Sequence, residues 1–143
     1  MRKPRVSPEA TRVAFVDGEW RVSFDGQDYV KAYRHLNPDG SVGGWVAETA
    51  SVKSSVHVDP AACVYQDAQV YDDVRILGSA RVYGEAVLHG AVITRDSARV
   101  YGKARLSDFT SVRGSAHVYG SATLRGTVAV EGSTRIFIGT YYG

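Results

Sequence analysis

The chain has 143 residues, 44% of them apolar and 22% charged, a composition that suits one globular domain or one domain with a small subdomain. A net charge of +2 sets up no general field for polyanions, so nucleic acid is disfavoured as a partner on charge alone. The single cysteine, Cys63, excludes an internal disulfide framework or a cysteine metal cluster and fits a reducing, cytoplasmic setting. The chain opens with Met1, Arg2, Lys3, Pro4 and Arg5, basic but followed by no apolar stretch, so no secretory signal is expected there. No run approaches the roughly 18 apolar residues of a membrane span.

Residues 12–16, 19–24 and 28–36 alternate apolar and polar side chains, the pattern of half-buried strands. Asp17-Gly18 and Asp25-Gly26 separate them, and both are two-residue hairpin signals. A third turn falls at Asn37-Pro38-Asp39-Gly40, before Gly43-Gly44-Trp45. The segment therefore reads as a small antiparallel meander. A solenoid exposes backbone at its ends, so the meander is expected to cap one, with Trp20, Tyr29, Tyr33 and Trp45 covering the first coil.

From about residue 51 to 136 a six-residue period runs without a break. Stepping by six from Ala50 gives only small or β-branched residues, through Val56, Ala62 and Ala68 to Thr134. Two residues after each stands an aliphatic one, from Val52 and Val58 to Ile136, with Thr94 the single exception. Two further on, from Asp72, the position is always Gly or Asp. Small-x-aliphatic places both marked residues on one face of a short strand, because strand side chains alternate. Gly tolerates the positive φ of a tight turn, and Asp bonds its own backbone there. Three strand-and-turn units close a triangular coil of about 18 residues, which stacks only on its neighbours. An α-helix would scatter a period of six over three sides.

The units Val100-Tyr101-Gly102-Lys103-Ala104-Arg105 and Val118-Tyr119-Gly120-Ser121-Ala122-Thr123 resemble the hexapeptide-repeat family, whose aliphatic-x-x-x-small-x motif specifies a left-handed parallel β-helix. In that family glycine often follows the aliphatic residue directly. Here tyrosine or another large residue stands there and glycine comes one later. That variant, headed by Gly43-Gly44-Trp45-Val46, is similar to a narrower group in bacteria and phages whose members are commonly labelled acyltransferases. The likeness runs from about Tyr29 to Ile136. It implies a transferase taking acetyl-coenzyme A, with a histidine base at a trimer interface beside a coenzyme groove. Such enzymes usually extrude a loop and carry more coils, whereas this repeat has no loop and about five coils.

Stepping by 18 separates the outer walls. One wall carries Tyr65, Tyr83, Tyr101, Tyr119 and Phe137, and two residues earlier Cys63, Arg81, Arg99, His117 and Arg135. Stacked rings beside a line of cations have three readings: a stabilising ladder, a subunit or partner interface, or a polyanion-binding strip. Of the four histidines, His117 lies on this wall and His89 on another. Either is a candidate base for the transferase, and surface histidine is the default for both. His57 and His89 are 32 residues apart and His89 and His117 are 28 apart, so neither pair shares a column and no metal site is expected. No nucleotide-binding glycine motif occurs outside the repeat turns.

The expectation is an all-β chain: a meander cap over residues 1–47, a single-stranded, left-handed parallel β-helix of about five coils over 48–137, and a tail over 138–143 that folds over the last coil or pairs with another subunit. Its role is expected to be a scaffold or protein-interaction module without cofactor, a homo-oligomer of two or three chains, possessing the interaction residues Tyr65, Tyr83, Tyr101, Tyr119, Phe137, Arg81, Arg99 and Arg135. A phage or prophage protein that binds a host protein is the narrower form of this reading. The acyltransferase with acetyl-coenzyme A and the polyanion-binding strip are the alternatives.

Overall fold

The computed structural model describes residues 11–143, so the basic segment at residues 1–5 lies outside it. Every regular element among the described residues is a strand, and no helix is long and apolar enough to cross a membrane. Strands β1 (Arg12–Val16) and β2 (Glu19–Ser23) form a hairpin across Asp17-Gly18, both at positive φ. β3 (Tyr29–Val30) pairs with β2. The strand expected over 28–36 is divided at Lys31. Its second half, β4 (Ala32–Leu36), pairs antiparallel with β5 (Val42–Ala47) in a different sheet. The Lys31 carbonyl accepts the Glu48 N–H at 2.9 Å, which fixes the crossing point.

β5 is the first strand of the solenoid, with Trp45 beside Cys63 and Val46 beside Val64 in parallel register. Side chains on the preceding Gly43 and Gly44 would run into the Val58 and Ala62 carbonyls, so the Gly-Gly pair is a steric requirement of this entry. Two-residue strands then repeat around three walls. The first wall stacks His57–Val58, Arg75–Ile76, Ile93–Thr94, Ser111–Val112 and Ala129–Val130. The second continues from β5 through Cys63–Val64, Arg81–Val82, Arg99–Val100 and His117–Val118 to Arg135–Ile136. The third runs from Ser51–Val52 through Gln69–Val70, Val87–Leu88 and Arg105–Leu106 to Thr123–Arg125 and Thr140–Tyr142. All pairs within the solenoid are parallel and in step by 18 residues until the last, where Thr123 faces Thr140.

The marked columns fill the prism. Val56, Ala68, Val82, Leu88, Val100, Leu106 and Leu124 are wholly buried in one continuous core. Thr94 and Thr110 are also wholly buried, and neither hydroxyl finds a hydrogen-bond partner among the described residues. Each is a cost to the fold, since an unpaired buried hydroxyl loses its hydration without replacement.

The corners follow a rule that the sequence shows only in part. Positive φ recurs at every sixth residue from Gln66 to Gly132, so Gln66 begins the column one turn before the first Asp. A Cβ on Gly102 would approach Gly120 N to 2.7 Å, a crowding that a corner side chain can offset by accepting from the N–H above it. The non-glycine corners do this. Gln66 Oε1 accepts from Gly84 N (2.9 Å), and Asp72, Asp96 and Asp108 accept from Gly90, Gly114 and Gly126 N (3.0 Å each). In every case glycine stands one coil above the side chain.

The N-terminal end is covered on two of its three walls, and by residues other than those expected. The hairpin of β4 and β5 covers the edge of the second wall. Asn37 covers that of the first, its side chain accepting from Val58 N (2.9 Å) and donating to Val58 O (3.1 Å). The His35 ring bonds Val56 O at 2.6 Å beside it. Trp20 is 66% exposed and packs on Phe15 instead of the coil, and Tyr33 is 44% exposed. It is Val22 and Phe24, with half-buried Trp45, that pack against the solenoid, forming a second small core with Ala47, Cys63 and Tyr65. The sheet of β1–β3 thus leans on the second wall.

Candidate interaction surface on the second wall

Each second-wall strand points its aliphatic residue inward, buried in all but the half-buried Ile136, and turns the residues on either side of it outward, which aligns two columns at the 18-residue spacing. The tyrosines stack face to face: Tyr65–Tyr83, Tyr83–Tyr101 and Tyr101–Tyr119 have centroids 4.7, 4.8 and 4.9 Å apart and are within 6° of parallel. Phe137 continues the stack at 5.8 Å. Below Tyr65, the 18-residue step reaches Ala47, too small to continue the ladder. Phe24 of the N-terminal sheet takes that place, stacked on Tyr65 at 4.6 Å and 3°. The ladder therefore has six rings, one of which comes from outside the repeat.

The neighbouring column is tied to the rings. Arg81 lies over the Tyr65 ring at 5.9 Å, donates to the Phe24 carbonyl at 3.1 Å and reaches Thr11 Oγ1 at 3.4 Å. His117 Nδ1 meets the Tyr101 hydroxyl at 3.0 Å, with its ring edge-on to the tyrosine. Arg99 lies between them, half-buried, and Arg135 at the top is exposed. Burial changes along the wall: Cys63 and Tyr65 are buried, Tyr83, Tyr101 and Tyr119 half-buried, and Phe137 is 56% exposed. Loss of water pushes the Cys63 thiol up to about 11 and the Tyr65 hydroxyl well above its ordinary value. The Tyr101 hydroxyl is raised for the same reason, with its tyrosine neighbours adding to it. At neutral pH these thiol and hydroxyl groups are uncharged, so they do not offset the charge of the arginines on this wall.

The structure brings all eight expected interaction residues onto one wall, with Tyr65 and Arg81 already engaged by the N-terminal sheet. The two candidate bases stand apart. His117 flanks the ladder edge-on to Tyr101, and His89 on the third wall lies flat on Tyr71 at 5.1 Å with Asp72 3.9 Å from its Nδ1.

Sequence reasoning weighed His57 only for a metal site and missed its carboxylate partner. On the first wall His57 Nε2 is 2.7 Å from Asp59 Oδ1, and Asp59 Oδ2 accepts from Gly78 N at 2.9 Å. Burial raises the Asp59 pKa, but the hydrogen bonds from His57 and Gly78 and the His57 charge outweigh it and hold the carboxyl below its ordinary value. His57, but not Asp59, lines a hollow shared with Asp39, Ser55, Asp73 and Arg75. The available signal was the His-x-Asp spacing on a strand, which puts both side chains on one face. No family model matches the chain, and comparison with curated proteins and with solved structures finds no match.

Proposed function

We propose that this parallel β-helix is a non-catalytic interaction module that holds a protein partner against its second wall. The observation that supports this most directly is the way the N-terminal sheet sits there. An aromatic side chain, Phe24, extends the ring stack while its carbonyl accepts from the adjacent Arg81. The wall thus takes a polypeptide segment by ring stacking plus a guanidinium–carbonyl bond, and aromatic and arginine side chains are those enriched at protein interfaces. A partner strand with an aromatic residue can engage the half-exposed upper ladder in the same manner. The Gly43-Gly44-Trp45-headed Val-Tyr-Gly-x-Ala units resemble bacterial and phage repeat proteins, and this supports a narrower form in which the partner is a host protein. The test is partner capture by the parent chain and by Arg99→Ser with Tyr101→Ser. A partner retained by the parent and lost by the folded variant supports the reading, and equal retention refutes it.

The acyltransferase reading draws support from one observation, the Asp59-oriented His57 beside its hollow. A carboxylate holding one imidazole nitrogen leaves the other to serve as a base. Calorimetric titration with acetyl-coenzyme A separates the readings. Saturable binding that His57→Ala weakens favours the enzyme, and absence of heat at high ligand concentration rejects it.

A further inference from the structure

The ring faces of the ladder are closed. Tyr65, Tyr83, Tyr101 and Tyr119 lie on one another at 4.7, 4.8 and 4.9 Å, and Phe24 covers the lower face of Tyr65 at 4.6 Å. A ring covered on both sides leaves no face for a nucleobase, and stacking on such faces is how single-stranded nucleic acid engages aromatic surfaces. What the wall turns outward is ring edge and phenol hydroxyl, and the edge is the positive part of an aromatic ring.

A third column stands two residues before the arginines: Ser79, Ser97, Ser115 and Ser133, all exposed. Successive rungs thus present Ser79-Arg81-Tyr83, Ser97-Arg99-Tyr101 and Ser115-His117-Tyr119. Serine and tyrosine hydroxyls can donate, and a guanidinium only donates. No Asp or Glu stands in these three columns. The corner carboxylate before Ser97, that of Asp96, accepts from Gly114 N at 3.0 Å. The matching columns of the first wall include Asp59, Asp73 and Glu131, and those of the third include Asp67 and Glu85. On those walls cations meet carboxylates of the wall itself, as in His57–Asp59 at 2.7 Å, Arg113–Glu131 and Lys103–Glu85 at 4.0 Å.

We infer that the protein partner held on the second wall presents carboxylates to it, as an acidic segment read by guanidinium and tyrosine hydroxyl at the step of one coil, about 4.8 Å. This chemistry rests on the interaction-module reading and adds to it what the partner must carry. A carboxylate accepts two N–H bonds from one guanidinium, and such charge-assisted bonds are stronger than neutral ones. The Phe24 carbonyl already sets an acceptor oxygen on Arg81 in this way. With a net charge of only +2, the chain as a whole exerts little pull on acidic polymers, so an acidic segment is held by this wall or not at all.

Calorimetric titration of the full chain with an oligoglutamate peptide tests it, beside oligolysine of equal length and a single-stranded oligothymidylate. Saturable binding of oligoglutamate alone is expected, weakening as salt is raised. Tyr83→Phe, Arg99→Gln and Tyr119→Phe together keep every ring in the stack and are expected to weaken that binding about tenfold. Arg105→Gln with Arg125→Gln, on the third wall, is expected to leave it within about twofold. Absence of oligoglutamate binding, equal binding of either control polymer, or equal losses from the two sets of substitutions overturns the inference. Should the triple variant fail to fold, the tyrosine ring-proton resonances of the parent decide. Oligoglutamate that shifts those of Tyr83, Tyr101 and Tyr119 but not that of Tyr71 supports an acidic partner, and any other pattern refutes it. Failure of this chemistry is distinguishable from failure of the module. A captured partner that Arg99→Ser with Tyr101→Ser loses, with no response to oligoglutamate, strikes the acidic segment and leaves the module standing.

Discussion

The lower and upper halves of the second wall are built from the same residues at the same spacing, yet they are different surfaces. Below, Tyr65 is 8% exposed and Arg81 is fixed by the Phe24 carbonyl. Above, Phe137 is 56% exposed and Arg135 stands in solvent. The repeat determines where rings and cations stand. What lies against them determines whether they are core or contact surface. Stacked tyrosines are therefore not by themselves a sign of either, and the N-terminal sheet is what converts one half into core.

The largest expected effect lies beneath both halves. Val100 is wholly enclosed, so Val100→Asp places an unpaired carboxylate inside the prism at a cost of about 4 kcal/mol or more, read as loss of the cooperative melt. A variant melting within a degree or two of the parent would show that the inside and outside of the wall have been exchanged. The next effect separates the halves directly. Phe24→Ala, at the buried foot of the ladder, is expected to cost about 3–4 kcal/mol by chemical denaturation. Phe137→Ala at its exposed head should cost under about 1 kcal/mol in dilute solution. Equal costs would erase the distinction.

Alkali sharpens the same contrast, because only the lower half is dry. The Cys63 thiol rises from 9.0 to about 11 on folding. Below pH 9 both states keep the proton, so stability does not change with pH on its account. Above that the unfolded chain releases the proton first, and stability falls as pH rises toward 11, by up to about 3 kcal/mol. Cys63→Ala should flatten that part of the stability–pH profile. The smallest effect lies away from the wall: Thr94→Val removes a buried hydroxyl with no partner and should stabilise by about 1 kcal/mol, seen as a higher melting temperature.

The prism was legible because its signal is redundant: small, aliphatic and turn columns keep one phase, with Thr94 the one exception in the aliphatic column and the Gly or Asp turn column starting at Asp72, and the 18-residue step sorts the outer residues by wall. Single events were harder to read. Gln66 is no usual turn former, and its corner role depends on an oxygen reaching Gly84 in the next coil. Lys31 carries no mark of a break in the sequence, yet it separates β3 from β4, which pair with different strands. The docking of Phe24 left one trace. Stepping back from Tyr65 meets Ala47, a gap in an otherwise unbroken ring column, and a gap of that size calls for a ring from elsewhere. Alternation in the meander said which residues share a face, but not which surface that face would meet.

The corner rule governs how such a prism lengthens by duplication. Residues 109–126 have only glycine at their three corners, so copying that coil preserves every contact between a corner and the coil above. Copying residues 84–101 sets one Asp96 above another, bringing two carboxylates into line at the strand spacing of about 4.8 Å. Growth by gene duplication is thus open to some coils and penalised for others, and the requirement that glycine stand one coil above each Gln or Asp corner acts as a grammar for the length of the molecule.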